Sequence, residues 1–353
     1  MQTLLILKTG ALGDVLRTTS ILPGLHARYP GLEVTWWTAP GAVDLLAGHA
    51  GIARVETVKP DDPADVERAL AELDERSFDR VLSLDDEESM CRLASAARAE
   101  IVSGAYLADD GRRVYSPDVA EWFDMGLLSV HGKERADALK VANTRSHAAI
   151  YASMLGIEMG EPRLALPESS RSFAEDRWRE LALDGAGTVI GLNTGSGGRW
   201  ASKRLSVERT VELAERVYAA LGGNVAFLLL GGPEEAERNA RIERALAGRV
   251  RLADAGTDNA LLDFAALVDR LDLLVTSDSL ALHVAVARRV PVVAFFAPTS
   301  AAEIELYGRG RKVVSTAPDY CSYAKDADTS SLTPERIAAA VDRCLSTRTP
   351  LRR

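Results

Sequence analysis

The stretch Leu4-Leu5-Ile6-Leu7-Lys8-Thr9-Gly10-Ala11-Leu12-Gly13-Asp14 sets the grammar of the chain. Four apolar residues that stop at a glycine loop predict a buried parallel strand. Val15, Leu16, Thr19, Leu22 and Leu25 then fall on one side of a helical stretch, which Pro23 is expected to kink. Strands are predicted at 33–38, 55–58 and 80–84, with an Ala/Leu/Glu-rich helix at 64–76. Such alternation of strand and helix predicts a parallel sheet covered on both faces.

The pattern weakens from 109 to 143, where polar and small residues predict loops and short helices. A helix is predicted at 147–155, and the proline-bounded segment 161–167 reads as an extended linker. The grammar then restarts. Strands are predicted at 188–193, 225–230, 249–253, 273–276 and 290–296, with helices at 207–221, 234–246, 261–271, 280–287 and 333–345. The fold class is therefore α/β, with two Rossmann-like domains in tandem. Their expected bounds are 1–165 and 166–332, and the C-terminal helix and tail, 333–353, are expected to pack back toward the N-terminal domain. Ligands of such sheets sit at the carboxyl ends of the strands, so a cleft between the domains is the expected active site.

Bulk properties narrow the function. The 353 residues are 47% hydrophobic and 26% charged, an ordinary globular balance over a length suited to two domains. A net charge of −9 argues against nucleic acid as a partner, because phosphate binding needs a concentrated positive field. Cys91, Cys321 and Cys344 are widely spaced, so they read as free thiols of a cytoplasmic protein rather than a disulfide framework or zinc site. The N-terminal apolar run is too short for a signal peptide, and no apolar stretch is long enough to span a bilayer.

Four loops can carry chemistry. In the first, Asp14 lies at a helix start after a strand and a glycine turn; it reads either as a helix cap or as a general base. The spacing is neither GxGxxG nor a P-loop. The second, Asn193-Thr194-Gly195-Ser196-Gly197-Gly198-Arg199-Trp200-Ala201-Ser202-Lys203-Arg204, offers hydroxyls, amides and cations for a diphosphate. In the third, Gly231-Gly232-Pro233-Glu234-Glu235, a carboxylate can take the hydroxyls of a ribose or cap the helix. In the fourth, Thr276-Ser277-Asp278-Ser279-Leu280-Ala281-Leu282-His283, Ser277 or Asp278 can cap a helix whose free amides could receive a phosphate. His283, as a lone histidine, reads first as a packed residue. Asp326-Ala327-Asp328 has a metal-binding spacing but sits in a polar loop.

Taken in order, these loops resemble glycosyltransferase family 9, the ADP-heptose:lipopolysaccharide heptosyltransferases. The resemblance rests on Gly13-Asp14-Val15-Leu16, Thr18-Thr19, Gly195-Ser196, Arg199-Trp200, Lys203-Arg204, Leu230 to Glu235, Ser277-Asp278-Ser279, Leu282-His283 and Ala297-Pro298-Thr299. It implies a GT-B fold, with two Rossmann-like domains facing across a cleft, and an inverting transfer that needs neither metal nor cofactor. It implies Asp14 as catalytic base, with Gly13 and Arg17 on the acceptor-side loop. The donor side would comprise Ser196, Arg199, Lys203, Gly232, Glu234 or Glu235, Asp278, Ser279, Leu280 and His283. Leu280 departs from the pattern, since the family often has glycine there, and only Cys321 remains of a C-terminal cysteine-rich segment. The implied partners are a nucleotide-diphosphate-sugar, ADP-heptose above others, and a glycan or glycolipid acceptor such as lipopolysaccharide core, with transient contact at the inner membrane surface. Tandem α/β domains also suit a nicotinamide-dependent oxidoreductase, against which the missing GxGxxG counts, or a non-catalytic sugar-binding protein.

Overall fold

The computed structural model describes residues 1–197 and 200–346. The chain divides into two compact units, Met1–Ala165 and Leu166–Arg353, each with its own six-stranded sheet. No helix among the described residues is long and apolar enough to cross a membrane.

The first sheet contains β1 (Thr3–Leu7), β2 (Glu33–Thr38), β3 (Arg54–Thr57), β4 (Ser77–Ser83), β5 (Arg98–Leu107) and β6 (Arg113–Tyr115) in the order β3-β2-β1-β4-β5-β6. All pairs are parallel except β5 with β6. Leu4, Leu5, Ile6 and Leu7 are buried, as expected for a central strand covered on both faces. Leu7 stands level with Trp37 of β2 and Ser83 of β4, so the loops after β1 and β4 leave the sheet side by side.

The helix after β1 runs Leu12–Thr18, tightens to a single 3₁₀ turn at Thr19–Ile21 and resumes as Leu22–Arg28. Pro23 therefore does not kink a continuous helix. It occupies the first turn of the second segment, where its missing N–H has no intrahelical partner to lose.

The second sheet contains β7 (Val189–Asn193), β8 (Ala226–Leu230), β9 (Arg251–Asp254), β10 (Leu273–Ser277), β11 (Val292–Phe296) and β12 (Gly310–Val314), all parallel, in the order β12-β11-β10-β7-β8-β9. Counted within the unit this is 3-2-1-4-5-6, the doubly wound order whose direction reverses between its first and fourth strands. That switch point lies between β7 and β10; its counterpart in the first unit lies between β1 and β4. The five residues of each of β7, β8, β10 and β11 are all buried.

The final helix, Pro334–Ser346, buries Ile337, Ala340, Val341 and Cys344 in the core of the second unit, beside Val211, Ala214 and Val217 of the helix Val207–Ala220. Its apolar positions at i, i+3, i+4 and i+7 form one stripe, and that stripe needs a wall of side chains. Residues 347–353 of the predicted tail lie outside the described residues.

Candidate functional site

The loops of the second unit converge at its switch point. A cavity of about 440 Å³ opens there, lined by Asn193, Ser196, Gly232, Glu234, Glu235, Thr257, Asn259, Leu261, Phe264, Ser279 and Leu280 among others. Of the donor-side residues expected from sequence, Ser196, Gly232, Glu234, Glu235, Ser279 and Leu280 line it, whereas Lys203, Asp278 and His283 do not. Arg199 lies outside the described residues.

Glu235 organises one wall. The segment Pro233–Glu235 is a 3₁₀ turn, and Glu235 reaches back so that Oε2 accepts from the Gly232 amide at 2.9 Å. Oε1 accepts from the Gly197 amide at 3.3 Å, which ties the second loop to the third. The carboxylate is buried, and its place requires glycine around it. A Cβ on Gly231 would stand 2.6 Å from Glu235 Cβ, and one on Gly195 would run into the carboxylate. Glu234 is exposed at the rim.

Asn193 organises the opposite wall across the switch point. Its amide donates to the Gly195 carbonyl at 2.7 Å, to Thr276 Oγ1 at 3.1 Å and to Ser279 Oγ at 3.4 Å. Thr276 and Ser279 share a further hydroxyl contact of 2.9 Å. Behind it, Arg238 donates to the Thr194 carbonyl at 2.9 Å; burial lowers this guanidinium to about 10.

The helix Leu280–Ala287 begins at this wall. Neither Ser277 nor Asp278 caps it, contrary to the sequence reading: Ser279 is the N-cap residue and makes no side-chain cap. Its first-turn amides therefore lack the side-chain oxygen that usually satisfies one of them, and Ser279, Leu280 and Ala281 all border the cavity. Leu280 is already helical, so its backbone conformation makes no demand for glycine. Asp278 instead accepts from Lys203 Nζ at 3.0 Å and lies 3.7 Å from His283 Nε2. Burial alone would push this carboxyl up, but His283 and the Lys203 charge outweigh it and hold the group far below the usual carboxylate range. The Ser196 hydroxyl is buried at the cavity without a hydrogen-bond partner among the described residues.

In the first unit Asp14 lies on the first turn of the helix Leu12–Thr18, but it is not the cap. Ala11 holds that position, with no side-chain cap bond. Asp14 Oδ1 pairs with Arg17 Nη2 at 2.9 Å, and about a third of the Asp14 side chain stays exposed. Gly13 precedes it on the same turn. The Arg17 guanidinium lies 5.6 Å from the centre of the Trp122 ring, which meets His147 and Tyr151 edge-on at 5.0 and 5.4 Å. A second cavity, about 380 Å³, opens among residues 60–66 and 87–92, with the carboxylates of Asp61, Glu87 and Glu88 in its wall. Burial, followed by the charge of Asp85, pushes Glu87 up.

Sequence reasoning missed Thr257, Asn259 and Phe264 in the lining of the second unit's cavity, and in the first unit the pair Lys8 and Asp85 and the Trp122 ring beside Arg17. A buried lysine beside the first loop was visible in Lys8 itself, directly after four buried apolar residues. Asp85 gave no comparable local signal. The three cysteines are buried and form no disulfide among the described residues; burial pushes the Cys91 thiol up to about 12.

The family model of glycosyltransferase family 9 (heptosyltransferase) matches residues 67–333. The chain is 26% identical over 324 residues to lipopolysaccharide heptosyltransferase 1 of Pseudomonas aeruginosa, covering 87% of this chain and 82% of that protein. Among solved structures, a family 9 glycosyltransferase from Veillonella parvula superposes with a TM-score of 0.80 at 20% identity, over 98% of both chains. The ADP-heptose lipopolysaccharide heptosyltransferase II of E. coli superposes with a TM-score of 0.67 at 20% identity, over 98% of this chain and 99% of that one. These likenesses show a common fold, of the GT-B type.

Proposed function

The chain belongs to glycosyltransferase family 9, and from that premise we propose that it transfers a heptose from ADP-heptose to a glycan acceptor of the lipopolysaccharide-core kind, with inversion at the anomeric carbon. The observation that carries this reading is the cavity at the second unit's switch point. The uncapped start of the helix Leu280–Ala287, the Ser196 hydroxyl, which has no hydrogen-bond partner among the described residues, and the clamped carboxylate of Glu235 all border it.

Each part suits a piece of a nucleoside diphosphate. The helix amides and Ser196 receive the phosphates. Lys203 has donors beyond the one it gives Asp278, and Asp278 holds it ready for the leaving diphosphate. Glu235 takes the ribose hydroxyls: its two amide contacts fix the carboxylate, so less freedom is lost on binding than at exposed Glu234. Phe264 and Leu261 offer the base an apolar surface.

Asp14 acts on the acceptor, bound by the first unit. The acceptor hydroxyl oxygen attacks the anomeric carbon and its proton passes to Asp14. The bond from that carbon to the diphosphate breaks, and the nucleoside diphosphate leaves with the electron pair. Positioned base catalysis of this kind contributes roughly 10²–10⁴-fold, and fixed amides and cations that meet the developing charge supply the rest. In the free enzyme Arg17 neutralises Asp14, so acceptor binding draws Arg17 off the carboxylate.

A thermal-shift screen of nucleoside diphosphates tests the donor. Stabilisation by ADP above GDP and UDP is the expected result; a preference for GDP or UDP would redirect the donor assignment. Release of ADP from ADP-heptose only in the presence of acceptor then tests transfer.

A further inference from the structure

Lys8 and Asp85 form a buried ion pair at the first unit's switch point, at 8% and 6% exposure, and the chemistry above does not use it. Lys8 follows β1 and Asp85 follows β4, so the pair joins the carboxyl ends of the two strands where the sheet reverses direction. Both groups also grip the first loop. Lys8 Nζ donates to the Gly10 carbonyl as well as to Asp85. Asp85 accepts from the Thr9 amide and, at 2.8 Å, from Thr9 Oγ1. The indole N–H of Trp36, on β2, holds the Lys8 carbonyl at 3.2 Å.

Such a pair is a poor way merely to join two strands. Two charges removed from water recover their hydration only through good geometry, and well-packed apolar residues often serve as well or better. What an apolar pair could not do is bind Thr9 and Gly10. Gly10 directly precedes Ala11, the N-cap of the helix whose first turn carries Asp14. A shift of the Gly10 carbonyl therefore displaces the whole short helix, Leu12–Thr18.

We propose that Lys8 and Asp85 are positioning residues for Asp14: together they lock the turn at Thr9 and Gly10 from which its helix starts, and Lys8 sets a fixed positive charge close to the Asp14 carboxylate. This rests on the reading of Asp14 as the base. The charged groups around Lys8 are Asp85 and Glu87 on the segment after β4, and Asp14 and Arg17 on the helix. Burial would lower the Lys8 ammonium, but the charges of Asp85 and then Asp14 outweigh it, so the group is raised above the ordinary lysine value. The same interaction acts in reverse on Asp14 and favours its charged form.

Full-length wild type, Lys8→Met, Asp85→Asn, Asp14→Asn and the double variant Lys8→Met/Asp85→Leu provide the test; the double variant leaves no unpaired buried charge and keeps the comparison valid if a single variant folds poorly. ADP release from ADP-heptose with purified lipopolysaccharide core as acceptor should show kcat lowered about 100-fold in Asp85→Asn and in the double variant, the scale of loss when a reacting group is misplaced by about 1 Å. The donor KM should stay within about twofold. Adding Lys8→Met to Asp14→Asn should cost nothing further, because the pair acts through Asp14. NMR titration of the Asp14 carboxyl should move up in Lys8→Met, and amide exchange at Thr9 to Asp14 should quicken in Asp85→Asn; neither readout depends on activity. A folded double variant with wild-type kcat, or an Asp14 titration unmoved by Lys8→Met, would overturn the proposal. An active Asp14→Asn enzyme would overturn the reading of Asp14 as base, and the NMR readouts would still decide the positioning role.

Discussion

The two switch points of this chain are built on the same topology, and each carries a largely buried lysine–aspartate pair, Lys8 with Asp85 and Lys203 with Asp278. In the first unit the ends of β1 and β4 are joined by charge, Lys8 with Asp85. In the second, the segments after β7 and β10 are joined by Lys203 with Asp278 and, in addition, by a neutral network, Asn193 with Thr276 and Ser279. On the proposed reading, the added neutral network follows from what the second site binds. A loop that carries a carboxylate base gains from a nearby fixed cation. A cavity proposed to receive a dianionic diphosphate gains from amides and hydroxyls that donate, and the buried carboxylate in its lining, Glu235, is turned onto backbone amides.

The largest effect on donor affinity should come from forcing the Glu235 turn apart. Gly231→Ala places a Cβ 2.6 Å from Glu235 Cβ, so the 3₁₀ turn must shift and the clamp on Gly232 and Gly197 is lost. Overpacking of this kind costs about 1–3 kcal/mol, and ADP affinity measured by calorimetry should fall by at least tenfold. Unchanged affinity would mean that Glu235 is only structural.

Asn193→Ala removes three donor contacts and leaves buried acceptors unpaired. It should lower stability by about 1–3 kcal/mol in a urea titration, with a matching loss of ADP affinity. If stability falls and ADP binding does not, the network supports the fold and not the cavity.

Two pH effects sharpen the comparison further. The Asp278 carboxyl is lowered, so its contribution is present above the unfolded-state value of about 3.9 and is lost as the pH falls below it toward the depressed folded value. Asp278→Asn should therefore flatten the acid limb of a stability profile below about pH 4. Lys8 is raised, so its contribution is complete below the unfolded value of about 10.4 and is lost as pH climbs through the higher folded value. Wild type should lose stability relative to Lys8→Met only in that alkaline range, which equilibrium unfolding at pH 8 and pH 11 would reveal.

Much of this architecture is legible in the sequence because buried parallel strands are continuous apolar runs. Leu4–Leu7, Leu273–Thr276 and Val292–Phe296 announce themselves as strands buried on both faces. Elements with a mixed environment do not. β5 buries only Gly104, Ala105 and its neighbour Ser103 within ten residues, and β12 reads as Gly-Arg-Lys before its two valines. The helix Glu168–Glu180 buries a single narrow stripe, Ser170, Ala174 and Trp178, among charged residues. The candidate site divides in the same way. Asp14, Ser196 and Glu235 stand in loops whose glycines mark them. Lys8 and Asp85 meet across 77 residues of sequence, and no local spacing predicts their contact. Capping was misjudged at Asp14 and Asp278 for a related reason: a carboxylate near a helix start can cap it, unless a cation nearby takes it, as Arg17 and Lys203 do here.

The central claim is a division of labour, with catalysis at the first switch point and donor binding at the second. Asp14→Asn tests it most directly when ADP affinity and heptose transfer are measured on the same preparation. The account predicts ADP affinity equal to wild type within twofold and transfer lower by roughly 10²–10⁴-fold, the worth of a positioned base. Transfer at the wild-type rate, or loss of ADP binding along with transfer, would contradict it.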